Sequence, residues 1–91
     1  MPLNPTLKEW RGQRVWLIGA SSGIGRALAQ QLHAMGAHVI VSARQQAALD
    51  DFVSNHPGST ALPMDVTDPE AVHRTAMAVM DLGPLDLLCY C

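Results

Sequence analysis

Gly19, Gly23 and Gly25 stand in the run Trp16-Leu-Ile-Gly-Ala-Ser-Ser-Gly-Ile-Gly-Arg-Ala-Leu-Ala29, between an apolar stretch of strand character and an apolar-periodic stretch of helix character. A strand that turns through glycines into a helix start gathers backbone N–H groups at one point, and the helix dipole adds positive potential there. This is chemistry for holding an anion. The glycines have separate tasks: a tight turn, close approach of backbone to a pyrophosphate, and close packing of helix on strand. The spacing G-x-x-x-G-x-G is not a P-loop, because Ile24 falls where a glycine is needed and no Lys-Ser/Thr pair follows.

The elements that must position this turn are legible from the hydrophobic pattern. A polar, proline-punctuated lead-in, Met1–Gln13, precedes a first strand over Arg14–Gly19. A helix over Gly23–Met35 follows, with Ile24, Ala27, Leu28, Leu32 and Met35 on one face and Gly36 at its C-terminal end. His38–Ser42 is a second, β-branched strand; a weaker helix over Gln45–Asn55 carries Leu49, Phe52 and Val53 and ends at His56-Pro57-Gly58. Thr60–Met64 reads as a third strand and Asp65–Asp68 as a turn. Thr67-Asp-Pro-Glu70 starts a third helix, either with Thr67 and Glu70 as a capping box or with Asp68 as cap and Pro69 at the first helical position. That helix runs to about Met80, with Val72, Ala76, Val79 and Met80 inward, and after Gly83-Pro84 a fourth strand occupies Leu85–Cys91. Strands alternating with helices predict an α/β fold: a Rossmann-type parallel sheet, βαβαβαβ, in the order 3-2-1-4, ending after its fourth strand. The domain is expected over residues 14–91, and no repeat, linker or low-complexity segment interrupts it.

The segment Gly19-Ala-Ser-Ser-Gly-Ile-Gly25, flanked by Val15-Trp-Leu-Ile and Arg26-Ala-Leu-Ala, resembles the cofactor motif of the short-chain dehydrogenases/reductases, with Ile18 where that family usually has Thr. The resemblance covers residues 7–91, roughly the family's first third. It implies that Gly19, Ser21, Ser22, Gly23, Ile24 and Gly25 hold the pyrophosphate and ribose of a dinucleotide. It also implies that Asp65, at the end of the third strand, accepts from the adenine amino group and that Val66 adds a backbone contact; the alternative for Asp65 is a turn or cap residue. Arg44 follows the second strand, about where a dinucleotide fold places a carboxylate for the adenosine ribose 2′-hydroxyl. A guanidinium there pairs instead with a 2′-phosphate, which favours NADP over NAD, with Ser21 as a second contact. The competing reading is a solvated arginine at a helix start. Asp86-Leu-Leu-Cys-Tyr-Cys91 aligns with the family's fourth strand, where Tyr90 and Cys91 replace two asparagines, and Asp86 reads as a strand-start residue.

The family's enzymes use a Ser-Tyr-Lys set. Tyr-x-x-x-Lys is absent from these residues, whose one lysine is Lys8 and whose one tyrosine is Tyr90, so no catalytic residue is assigned. The substrate pocket and the helical homo-oligomer interface of the family are likewise not among them. The resemblance therefore implies the NADP-binding N-terminal part of an oxidoreductase that moves a hydride between the cofactor and a small-molecule carbonyl or alcohol. The nicotinamide half of the cofactor is expected to lack a wall. The alternative is a non-catalytic module that binds a dinucleotide or pairs through an open strand edge; a partial or frameshifted reading frame is the third possibility.

Composition narrows the rest. The chain is 91 residues long, 48% hydrophobic and 15% charged, with net charge −2, which suits elements buried on both faces of a sheet. Six scattered basic residues give no footprint for nucleic acid or an anionic membrane. With no apolar run near 18 residues and no signal-peptide core at the start, the expectation is a cytoplasmic protein with no membrane partner. Cys89 and Cys91, two apart on a strand, face the same way roughly 6–7 Å apart, a poor disulfide geometry, and two thiols fall short of a zinc site. His33, His38, His56 and His73 share no ligand spacing and are expected at surface or half-buried positions.

Overall fold

Three runs rich in Val, Ile and Leu and one short Thr-Ala pair form the strands of one parallel sheet, and a computed structural model describes them within residues 10–20 and 23–90. The strands are β1 (Arg14–Ile18), β2 (His38–Ser42), β3 (Thr60–Ala61) and β4 (Leu87–Tyr90); the helices are α1 (Gly23–Ala34), α2 (Gln46–Asn55) and α3 (Pro69–Asp81). The sheet order is β3-β2-β1-β4, as the alternation of elements predicts. Arg14 pairs with His38 and Ile18 with Ser42 across β1 and β2, while Val15 pairs with Leu87 and Ile18 with Tyr90 across β1 and β4. Met1–Lys8 and Glu9 of the lead-in, Ser21, Ser22 and Cys91 lie outside the described residues.

Burial on both faces explains why β1 and β2 are continuously apolar instead of alternating. On one face Val15, Leu17, Val39 and Val41 pack under Ala29 and Leu32 of α1 and Leu49 and Phe52 of α2. On the other, Trp16, Ile18 and Ile40 pack with Met64 and with Val79 of α3. The first two helices thus cover one face and the third covers the other. Among the described residues no helix is long and apolar enough to cross a membrane.

Several boundaries and faces differ from expectation. β1 stops at Ile18 because Gly19 has φ +86°, which ends the extended backbone. The third strand shrinks to Thr60–Ala61, yet Leu62 N–H still donates to Val41 (2.9 Å) and Met64 N–H to Ala43 (3.0 Å). Pro63 therefore sits exposed just past the edge strand, between two residues whose N–H groups bond to the β2 side, where a missing N–H breaks no ladder bond. In α1 the buried positions are Gly25, Ala29 and Leu32, with Leu28 beside them, whereas Ile24 is 85% exposed and Ala27 also faces outward. The two small residues set the helix against the sheet, and that rotation turns Ile24 away. In α3, Thr75 and Val79 are buried, Val72 and Ala76 are half-buried, and Met80 points to solvent.

The ends of the helices follow local chemistry. Gly36, at φ +92°, donates to His33 while Ala37 donates to Leu32, a Schellman closure of α1. At α3 the two capping alternatives resolve in favour of Asp68, whose carboxylate accepts from the N–H groups of Glu70 and Ala71, with Pro69 in the first turn. Asp86 opens β4 by accepting from Arg14 N–H (2.7 Å) and donating its own N–H to Arg14 C=O (2.8 Å). Leu87, Leu88 and Tyr90 of β4 are exposed, and Cys89 packs half-buried against the first core.

Candidate functional site

The strand order leaves a crevice at the C-terminal ends of the strands, where successive connections leave the sheet in opposite directions from the β1 position. A cleft of about 630 Å³ lies there, lined by Ile18 and Gly19 of β1 and its turn, Ala43, Arg44 and Gln45 after β2, Met64 and Val66 after β3, and Tyr90 of β4. Its size suits a cofactor.

The turn at the centre is held by backbone geometry. Gly19 N–H donates to Ser42 C=O at 2.7 Å, which ties the start of the turn to the end of β2. Gly23, the first residue of α1, has φ +64°, and the space where a Cβ would stand is empty out to 4 Å. The glycine thus supplies a left-handed conformation at the helix start without a side chain there. Gly25 is buried, consistent with close helix–sheet packing. Ile24 sits beside the opening with its side chain in solvent. Ser21 and Ser22, also expected in this turn, lie outside the described residues. The buried Trp16 indole Nε1–H donates to Ser42 Oγ at 2.8 Å, joining β1 to the end of β2.

Arg44 and Asp65 meet on the β2–β3 side. Arg44 is exposed and borders both the main cleft and a neighbouring hollow of about 360 Å³, lined also by Pro63, Met64, Asp65 and Ala71. Val66 lines the main cleft and Asp65 the neighbouring one. One oxygen of Asp65 accepts from both Thr67 Oγ1–H (2.7 Å) and Thr67 N–H (2.9 Å). These bonds, hydroxyl first, hold the Asp65 carboxyl below its ordinary 3.8, and the Arg44 charge adds a smaller pull in the same direction. Asp65 is therefore ionised at neutral pH and serves the turn as well as facing the hollow.

Gly19, Arg44 and Val66, expected from the sequence as cofactor contacts, line one cleft together with Tyr90, Met64 and Gln45, which the sequence did not single out as lining. For Tyr90 the signal lay in strand register: it is the Cα partner of Ile18, the residue before Gly19. The described lining contains a guanidinium and a phenol and no carboxylate, imidazole or amine. Such a set can hold and orient an anionic ligand, and the described lining has no paired acid and base. Among the described residues no cluster of three metal-ligating side chains occurs.

Known proteins resemble this chain in sequence and fold. A family profile described as short chain dehydrogenase matches residues 13–91. Over 77 residues the chain is 46% identical to L-xylulose reductase of Homo sapiens, a match covering 85% of this chain and 30% of that protein. Among solved structures, a Pseudomonas aeruginosa RhlG/NADP active-site complex superposes with a TM-score of 0.80 at 32% identity, covering 89% of this chain and 34% of that one. An actinorhodin polyketide ketoreductase with NADPH gives a TM-score of 0.83 at 26% identity, covering 88% of this chain and 33% of that one. The chain spans about a third of the length of the proteins it matches.

Proposed function

As the chain belongs to the short-chain dehydrogenase family, we propose that its cleft is the NADP site of an oxidoreductase acting on a small-molecule carbonyl or alcohol. The turn from Gly19 through Ser21, Ser22, Gly23, Ile24 and Gly25 takes the pyrophosphate and adjoining ribose, Arg44 takes the 2′-phosphate, and Asp65 with Val66 takes the adenine. When bound, the nicotinamide supplies or accepts a hydride. These residues bind and orient it; the acid–base groups of the reaction are not assigned among them. Similarity to L-xylulose reductase supports a carbonyl substrate, and neighbours carrying NADP and NADPH support the phosphorylated cofactor.

The observation that carries the reading is the position of Arg44. Its guanidinium borders the cleft after β2, and Asp65, which shares the neighbouring hollow with it, already gives one oxygen to Thr67. The positive group is thus available to a phosphate, to which arginine bonds in a bidentate manner. Calorimetric titration of NADPH and NADH tests this. NADPH is expected to bind more tightly, and Arg44→Ala to weaken NADPH by about tenfold or more while leaving NADH nearly unchanged. Equal affinity for the two cofactors, or equal loss of both in the variant, would overturn the assignment of NADP.

A further inference from the structure

We propose that the Tyr90 ring is the binding surface for the second nucleoside of the dinucleotide, the half that carries nicotinamide and its ribose. The inference rests on the cleft being a dinucleotide site and adds a residue that neither the motif nor the family resemblance assigns. The lining is ordered across the sheet: Met64 and Val66 after β3, Arg44 after β2, Gly19 after β1, and Tyr90 on β4. Adjacent strands lie about 4.8 Å apart, so these groups form a row along the strand ends instead of a ring around one point. A ligand anchored at Arg44 by its 2′-phosphate and at the Gly19 turn by its pyrophosphate has crossed from β2 to β1. Its remaining half must continue past β1, and the group waiting there is Tyr90.

The side chain is suited to that position. Tyr90 pairs in register with Ile18, so both side chains leave the same face of the sheet, and Ile18 is nearly buried while Tyr90 is 70% exposed. A buried aliphatic floor beside an exposed aromatic ring offers a π-face to a planar heterocycle or a sugar face, a contact that needs no specific hydrogen bond. The expectation that this half of the ligand lacks a wall is therefore replaced by one aromatic contact on β4. Because the contact is made by the ring, phenylalanine should substitute for tyrosine.

The experiment compares two ligands against the 91-residue chain: NADPH, and adenosine 2′,5′-bisphosphate, which keeps the phosphorylated adenosine and lacks the second nucleoside. Tyr90→Ala is expected to weaken NADPH by about tenfold and to leave the bisphosphate unchanged, while Tyr90→Phe changes neither. Loss of affinity for both ligands in Tyr90→Ala, or no loss for NADPH, overturns the proposal while leaving the cleft a dinucleotide site. If the unmodified chain binds neither ligand, the dinucleotide reading itself falls, and this inference with it. A second measurement needs no variant. Tyr90 is the one tyrosine in the chain, so nuclear Overhauser contacts from its ring to bound NADPH are assigned directly. Contacts to the nicotinamide ribose or ring support the proposal; contacts to adenine alone, or none, refute it.

Discussion

At Asp65 one carboxylate oxygen takes two hydrogen bonds from Thr67, and this explains both the turn and the acidity of the group. The folded-state pKa lies below the ordinary 3.8, so the carboxylate adds stability above that value. The contribution is lost as pH falls through the lowered folded pKa, because the neutral acid accepts the two bonds more weakly than the carboxylate does. Thr67→Val removes the hydroxyl bond, the largest cause of the shift, and should move the Asp65 pKa up toward 3.8. Titration of the Asp65 carboxyl carbon by NMR reads this, and an unchanged midpoint would show that Thr67 does not set it. Residue types made Arg44 and Asp65 visible as candidates in the sequence. What the sequence left open was how Asp65 divides between the turn and the ligand, since that depends on where Thr67 Oγ1 points.

Among the elements, α3 shows a local signal read with two outcomes. Thr67-Asp-Pro-Glu70 permits two caps, and the structure uses Asp68 because Thr67 is engaged by Asp65. Asp68→Ala should cost about 1 kcal/mol of stability, measured as a lower urea midpoint with an unchanged slope; a cost near zero would mean the cap is dispensable. The turn into β4 depends on Gly83, at φ +131°, where a Cβ would collide with the Arg14 guanidinium. Helix faces were less legible than helix positions. Apolar periodicity put Ile24 and Met80 inward, but Gly25 and Ala29 bring α1 against the sheet through small residues that a hydrophobicity pattern undervalues. The histidines illustrate the same limit. His33 Nε2 lies 2.8 Å from Pro57 C=O, His56 Nδ1 lies 2.8 Å from Phe52 C=O, and the two rings meet edge to face at 5.0 Å, joining α1 to the end of α2. Nothing in their spacing along the chain announces that contact.

For the whole molecule, two helices on one face and one on the other make Phe52 a central support. It is fully buried in the first core, stacks on His56 with ring centroids 4.0 Å apart, and lies under the Arg26 guanidinium at 5.7 Å. Phe52→Ala should cost about 3–5 kcal/mol, a large share of the ~5–15 kcal/mol that holds a small domain folded. Loss of the helical circular dichroism signal at a much lower urea concentration would confirm this, and an unshifted midpoint would contradict it. The sequence alone determined the order of strands and helices, the parallel sheet and the glycine turn, because periodicity, breakers and caps act over a few neighbouring residues. Tertiary structure alone decided that Tyr90 shares a cleft with Arg44 and Gly19. Those residues are far apart in the chain, and they meet because strand register and the order β3-β2-β1-β4 bring the strand ends together.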